Sequence, residues 1–224
     1  GISKSNLALA KIAKADVLLI KNDVWDASLL YLQVEKMYKE DVLGHTAKFK
    51  NAKLYYYTGD YEWCQAQLNG LKASTSKLIS NDAIDLSLLI TDNYNMDTTV
   101  RRMNWYSQAD LLILQNKYPE ALAKLDSITQ DVDSSHSLFD EILYKKYEIS
   151  FLKREYKEAE SYLNQIVASY PDDILADNAL FKLGELYENQ LSDEVKAIKT
   201  YEKLLDMTDP SELMTPPSGR ISAK

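Results

Sequence analysis

The phrase Tyr118-Pro-Glu-Ala-Leu-Ala-Lys-Leu125 decides the fold, because it returns along the chain in altered form. It reads Val24-Trp-Asp-Ala-Ser-Leu-Leu-Tyr31, Tyr61-Glu-Trp-Cys-Gln-Ala-Gln-Leu68 and Tyr156-Lys-Glu-Ala-Glu-Ser-Tyr-Leu163. A weaker copy, Val195-Lys-Ala-Ile-Lys-Thr-Tyr201, lacks the upstream aromatic. The recurring small residues are Ala27, Cys64, Ala121, Ala159 and Ala197, separated by 37, 57, 38 and 38 positions. A period of roughly 34 to 40 residues, with a small residue at a fixed place among helix-spaced apolar ones, predicts stacked helix hairpins. The expected architecture is all-α: a right-handed solenoid of antiparallel helix hairpins, with about five units plus one extra helix.

A frame of about 34 residues laid on these positions gives units Ala8–Asp41, His45–Leu78, Arg102–Ser135, Asp140–Asp173 and Asp177–Pro210. Each first helix carries apolar and small residues three and four apart, as in Trp105, Ala109 and Leu112, or Phe181, Gly184 and Tyr187. Turn and cap residues fall between the helices: Asn22-Asp23, Thr58-Gly59-Asp60, Asn116 to Pro119, and Ser192-Asp193. Pro119 suits a first helical turn, and Asp60 and Ser192 suit N-caps. The long interval leaves room for an extra helix at about 80–92, expected to turn its Ile84/Leu88 side inward. Residues 1–212 are expected to form one repeat domain, and 213–224, with two prolines and a glycine, a flexible tail.

The recurrence of several positions together in five copies resembles the tetratricopeptide superfamily over most of the chain. Longer phrases are similar to something narrower. Lys14–Ser28 (KADVLLIKNDVWDAS), Leu71–Asn93 (LKASTSKLISNDAIDLSLLITDN) and Asp172–Tyr187 (DDILADNALFKLGELY) resemble the C-terminal repeats of large Bacteroidetes cell-envelope tetratricopeptide proteins. That resemblance implies a bacterial envelope or periplasmic location and a chain that is one section of a longer protein; a cytoplasmic location is the alternative. Family members end in a basic stretch, whereas this chain ends Ser-Gly-Arg-Ile-Ser-Ala-Lys.

Composition narrows the function. Only 6 Gly and 5 Pro among 224 residues, with 46% hydrophobic, suit long helices and short connections. The 16 tyrosines suit helix seams, where a rigid apolar ring ends in a polar tip. A net charge of −8 without a Lys/Arg stripe disfavours nucleic acid and anionic lipid. No apolar run reaches the roughly 18 residues that spanning a bilayer requires, so direct membrane insertion is not expected. Catalytic chemistry is sparse: His45 and His136 stand without metal-ligand spacing. Asp131-Val132-Asp133 lacks the glycine and distal glutamate of a calcium loop, and Cys64 takes a core position. No enzyme activity, cofactor or metal is expected.

What remains is a binding surface. The fifth and ninth positions of each first helix line the inner face: Ile12, Phe49, Tyr106, Tyr144 and Phe181, then Asp16, Lys53, Asp110, Glu148 and Glu185. The expected partner-binding groove comprises Phe49, Lys53, Tyr106, Asp110, Tyr144, Glu148, Phe181 and Glu185. Aromatic anchors beside carboxylates suit a protein or peptide with apolar and basic residues. The array differs from the Lys/Asn clamp with which some tetratricopeptide domains hold an acidic terminus. The alternative is a structural spacer or oligomerisation segment. The apolar run Leu7, Leu9, Ile12, Leu18, Leu19 and Ile20 in the first helix motivates that reading through self-association of the N-terminal hairpin.

Overall fold

The computed structural model describes residues 3–74, 76–94, 100–131, 138–171 and 173–207. Among these residues there are eleven α-helices and no strand. The expected tail, 213–224, lies outside the described residues, as do His136 and Pro210. The chain gathers into two compact units, Gly1–Leu138 and Phe139–Lys224, where the sequence frame draws one continuous domain.

The first unit holds hairpin α1 (Lys4–Ile20)/α2 (Val24–Met37) and hairpin α3 (Val42–Thr58)/α4 (Tyr61–Asn69). The single helix α5 (Lys77–Tyr94) and hairpin α6 (Arg101–Leu114)/α7 (Tyr118–Asp131) complete it. The second unit holds α8 (Phe139–Leu152)/α9 (Tyr156–Ser169) and α10 (Ile174–Asn189)/α11 (Glu194–Met207). Within each unit, hairpins that follow each other directly pack the second helix of one on the first helix of the next, α2 on α3 and α9 on α10.

One backbone event recurs in every hairpin. Asn22, Gly59, Asn116, Arg154 and Ser192 have φ of 68°, 81°, 58°, 63° and 53°. Each stands five residues before its small residue, so the left-handed turn repeats with the intervals of the sequence phrase. In the first four hairpins the turn closes with the same bonds. The amides of Asp23, Asp60, Lys117 and Glu155 each donate to a carbonyl five residues back, at 2.8 Å. This satisfies carbonyls that a helix end otherwise leaves open. In the fifth, Asp193 N–H reaches back six residues to Tyr187 at 2.9 Å, a turn one residue longer. The small residue then makes the second helix's first bond to a carbonyl four residues back, as Ala121 to Lys117 and Ala159 to Glu155, both at 3.0 Å.

Two cap assignments change. Asp60 holds the N-cap place of α4 without a side-chain bond. Ser192 is the left-handed turn residue, and the cap falls to Asp193, whose Oδ1 accepts from Lys196 N–H at 3.1 Å. Asp41 and Asp173 cap α3 and α10, accepting from the Leu43 and Leu175 amides at 2.8 Å each.

The extra helix is present and longer than expected, but its rotation differs. Ala83, Leu86 and Ile90 are buried, whereas Ile84 and Leu88 are 37% and 49% exposed. The reason lies on α4: Ser87 Oγ donates to Gln65 Oε1 at 2.6 Å, while Gln65 Nε2 donates to the Ser87 carbonyl at 2.9 Å. That reciprocal pair turns the Ala83/Ser87/Ile90 side toward α4.

Ala27, Cys64, Ala121 and Ala159 are fully buried and Ala197 nearly so. Replacing Ala121 or Ala159 with Leu is expected to overpack the hairpin and cost roughly 1–3 kcal/mol. Ala168→Leu, on the exposed side of α9, is expected to leave stability within about 0.5 kcal/mol. Thermal melts of the three variants check this, and unchanged melting at both buried positions would contradict the crossing geometry.

Candidate partner-binding face

In the first unit the inner surface is a packed seam. Tyr106 on α6 is 1% exposed and Ile12 on α1 is buried, so neither can anchor a partner. Asp110 accepts a hydrogen bond from Tyr56 of α3 at 3.2 Å. Asp16 accepts from the Tyr31 hydroxyl at 2.5 Å and pairs with Lys50 of α3 at 2.9 Å. At the far end of α6, Gln115 Nε2 donates to the Leu19 carbonyl and to Asn22 Oδ1, both at 3.3 Å. The first helices α1, α3 and α6 thus close on one another. The cause is α5: it occupies the place beside α4, and α6 packs directly on α3. Phe49 and Lys53 remain half-buried on α3, with Lys53 Nζ 5.6 Å from the Tyr57 ring centroid.

Tyrosines fill this seam. Tyr56 contacts Tyr57 and Tyr61 at ring separations of 5.4 and 6.2 Å, and Tyr61 contacts Tyr94 at 5.1 Å. Their hydroxyls find internal acceptors rather than water alone: Tyr61 donates to Asn104 Oδ1 at 2.9 Å. Burial pushes the Tyr61 phenol up to about 12, and burial followed by the Asp110 charge pushes Tyr56 well above its ordinary value. These phenols therefore stay neutral donors.

In the second unit the corresponding positions keep partial exposure. Tyr144 and Glu148 stand one turn apart on α8, and Phe181 and Glu185 one turn apart on α10. Tyr144 packs edge-on against Tyr147, with centroids 5.3 Å apart. Burial raises its phenol, followed by the Glu148 charge and, across from α10, the Glu185 charge. Phe181 is 46% exposed, with Lys182 Nζ 5.5 Å from its centroid. Each carboxylate is already paired three residues back, Lys145–Glu148 at 2.9 Å and Lys182–Glu185 at 2.8 Å. The sequence reading misses these lysines, although the i,i+3 spacing signals them. The face is therefore aromatic with alternating charge, not simply acidic.

The remaining candidates for chemistry are occupied structurally. Cys64 is buried, and burial pushes its thiol up to about 12. His45 is half-buried within α3, its Nδ1 2.8 Å from Ser74 Oγ. Asp131 is held by Arg101 at 3.0 Å and Arg102 at 2.8 Å; hydrogen bonds from Arg102 and then Arg101 lower its carboxyl. Val132 and Asp133 lie outside the described residues. No three His, Cys, Asp or Glu side chains converge among the described residues.

Asp140, in the first turn of α8, carries no signal in the sequence pattern. It is buried, and burial, then the neighbouring Asp173 charge, raises its carboxyl to about 6. A raised acid value means the folded chain holds this proton more tightly than the unfolded chain. Stability is therefore expected to fall as pH climbs from 3.8 to about 6 and to level off above. Asp140→Asn is expected to raise the melting temperature at pH 7 relative to the parent, with the difference shrinking at low pH. Paired melts at both ends of that range check it, and a variant destabilised at neutral pH would contradict it.

Residues 178–207, covering most of α10 and all of α11, match the tetratricopeptide repeat family. No curated protein matches the chain in sequence. Among solved structures, the TPR-like repeats of a Podosopora anserina protein assigned as a kinesin light chain are 14% identical. They superpose with a TM-score of 0.42 over 92% of this chain and 96% of theirs. A variant of those repeats with one substitution is 13% identical, with a TM-score of 0.41 and the same coverage.

Proposed function

We propose that this helical-repeat chain of tetratricopeptide type is a protein-interaction scaffold that binds a peptide or helix on the α8–α10 face. The observation that carries the reading is Phe181, half exposed and one turn from Glu185 on α10, a helix that packs against the α8 bearing Tyr144. Helical-repeat proteins bind along the surface formed by successive first helices. Aromatic rings there anchor an apolar side chain, and the Lys–Glu pairs exchange a lysine for a partner's basic group. The partner-binding set is accordingly Tyr144, Glu148, Phe181 and Glu185. Catalysis is not part of the proposal. No helix among the described residues is long and apolar enough to cross a membrane. The phrase resemblance alone supports placing this scaffold within a larger bacterial envelope protein, and fractionation of cells with an antibody to the chain tests that placement.

The binding test is a selection of displayed random peptides on the full chain. Selected peptides are expected to combine an aliphatic or aromatic residue with Arg or Lys. Phe181→Ala or Tyr144→Ala should weaken them by about 2 kcal/mol, chiefly through faster dissociation. Glu148→Gln should flatten the salt dependence of association. Peptides that bind both aromatic variants unchanged would remove the face from consideration.

A second reading, a spacer that self-associates through its first hairpin, is favoured by Trp25, Leu29 and Leu32. They form an apolar stripe on α2, with Trp25 88% exposed, beside exposed Leu7, Leu9 and Ile20 of α1. Ile12 and Leu19 of the same run are buried within the hairpin. Light scattering over a concentration series, with Trp25→Glu as the control, separates the two. Association abolished by that substitution supports the spacer, and a monomer at all concentrations rejects it.

A further inference from the structure

The second unit carries another surface, lined in part by three lysines of α11. Between α9 and α11, above α10, lies a cleft of about 240 Å³. Its floor is apolar, made by Val167, Leu180 and Leu183 with the ring of Tyr187. Along one wall Lys196, Lys199 and Lys203 follow each other at spacings of three and four on α11, which places them on one stripe. Asn164 of α9 faces them and also belongs to an adjoining depression that includes Lys157 and Glu160.

The charges do not balance. Glu160 is the one carboxylate among the residues lining these two depressions. It is already shared: it pairs with Lys157 and Lys196, each at 3.1 Å, and accepts the Tyr187 hydroxyl at 2.8 Å. Lys196 also lies 3.8 Å from Asp193. Lys199 and Lys203 are exposed and have no carboxylate partner among the described residues. Lys199 and Lys203, exposed and without an ion pair beside an apolar floor, give acidic groups a local point of attachment on a chain of net charge −8. The cleft is smaller than the roughly 300–1,000 Å³ of small-molecule pockets, so its floor suits single aliphatic side chains of a polypeptide.

We infer that the α9–α11 cleft docks an acidic amphipathic segment of a partner protein, an apolar side chain entering over Leu183 and carboxylates meeting Lys199 and Lys203. The lining of this cleft shares no residue with Tyr144, Glu148, Phe181 and Glu185 of the α8–α10 face. The two faces would let one unit hold two partners of opposite charge.

The experiment uses the full chain and a fluorescein-labelled helical peptide carrying leucines one turn apart flanked by glutamates. Binding is followed by anisotropy. Its affinity is expected to fall roughly tenfold or more in Lys199→Glu/Lys203→Glu, whose melting temperature should be unchanged because both side chains are exposed. The peptide should also lose binding when its leucines become serine. Several results would overturn the inference. One is a double variant that binds like the parent; another is an equal loss in Lys36→Glu/Lys39→Glu on the first hairpin, which would make the attraction non-specific. Competition by duplex DNA as strong as by unlabelled peptide would show a general polyanion surface instead.

Discussion

Everything in this chain depends on how closely two helices approach at one small residue per hairpin. A left-handed residue ends the first helix, and five positions later the second helix is already hydrogen-bonded. At that position Ala or Cys lets the crossing backbones come near. Helical stability in proteins comes mostly from packing of the apolar face, so each helix relies on the contacts that the crossing brings into reach. In the second unit that packing is a continuous core of Leu143, Tyr147, Leu163, Ile166, Leu183, Leu186 and Tyr187 around Ala159, Ala179 and Ala197.

The two units use the same hairpin differently. In the first, the inserted α5 takes the place beside α4, and α6 is brought onto α3. The inner positions then become interior: Tyr106 disappears into the seam, and the carboxylates of Asp16 and Asp110 satisfy buried tyrosines. A phenol buried without an acceptor would be costly, so these acids have a structural role there. In the second unit nothing is inserted, and the corresponding Tyr144, Glu148, Phe181 and Glu185 keep access to solvent. The same sequence positions thus serve folding in one half and are available for recognition in the other.

Much of this is legible in the sequence, for identifiable reasons. The small-residue phrase marks hairpin number and phase because side-chain volume at the crossing is a local requirement. Asn22, Gly59 and Asn116 announce their turns because they tolerate the left-handed region; Arg154 adopts it too, held by its neighbours, and its residue type gives no warning. The rotation of α5 is ambiguous by pattern because Ile84/Leu88 and Ala83/Leu86/Ile90 both satisfy helical spacing. Contacts from another helix decide between them, among them the bonds of Gln65 to Ser87 and Thr91. Tyr106 is no anchor for a similar reason: periodicity assigns a residue to a face, and only the neighbouring helices determine whether that face is covered. The lysines of α11 are visible as letters, but their lack of compensation emerges from the arrangement of Glu160 against Lys157 and Lys196.

The most direct test of the account is the backbone angle φ at Asn22, Gly59, Asn116, Arg154 and Ser192, measured in solution by NMR scalar couplings. A left-handed conformation is expected at all five, each five residues ahead of its small residue. A right-handed or extended Arg154 or Ser192, with the turn displaced from its Ala159 or Ala197 partner, would contradict the shared hairpin register on which the candidate faces are drawn.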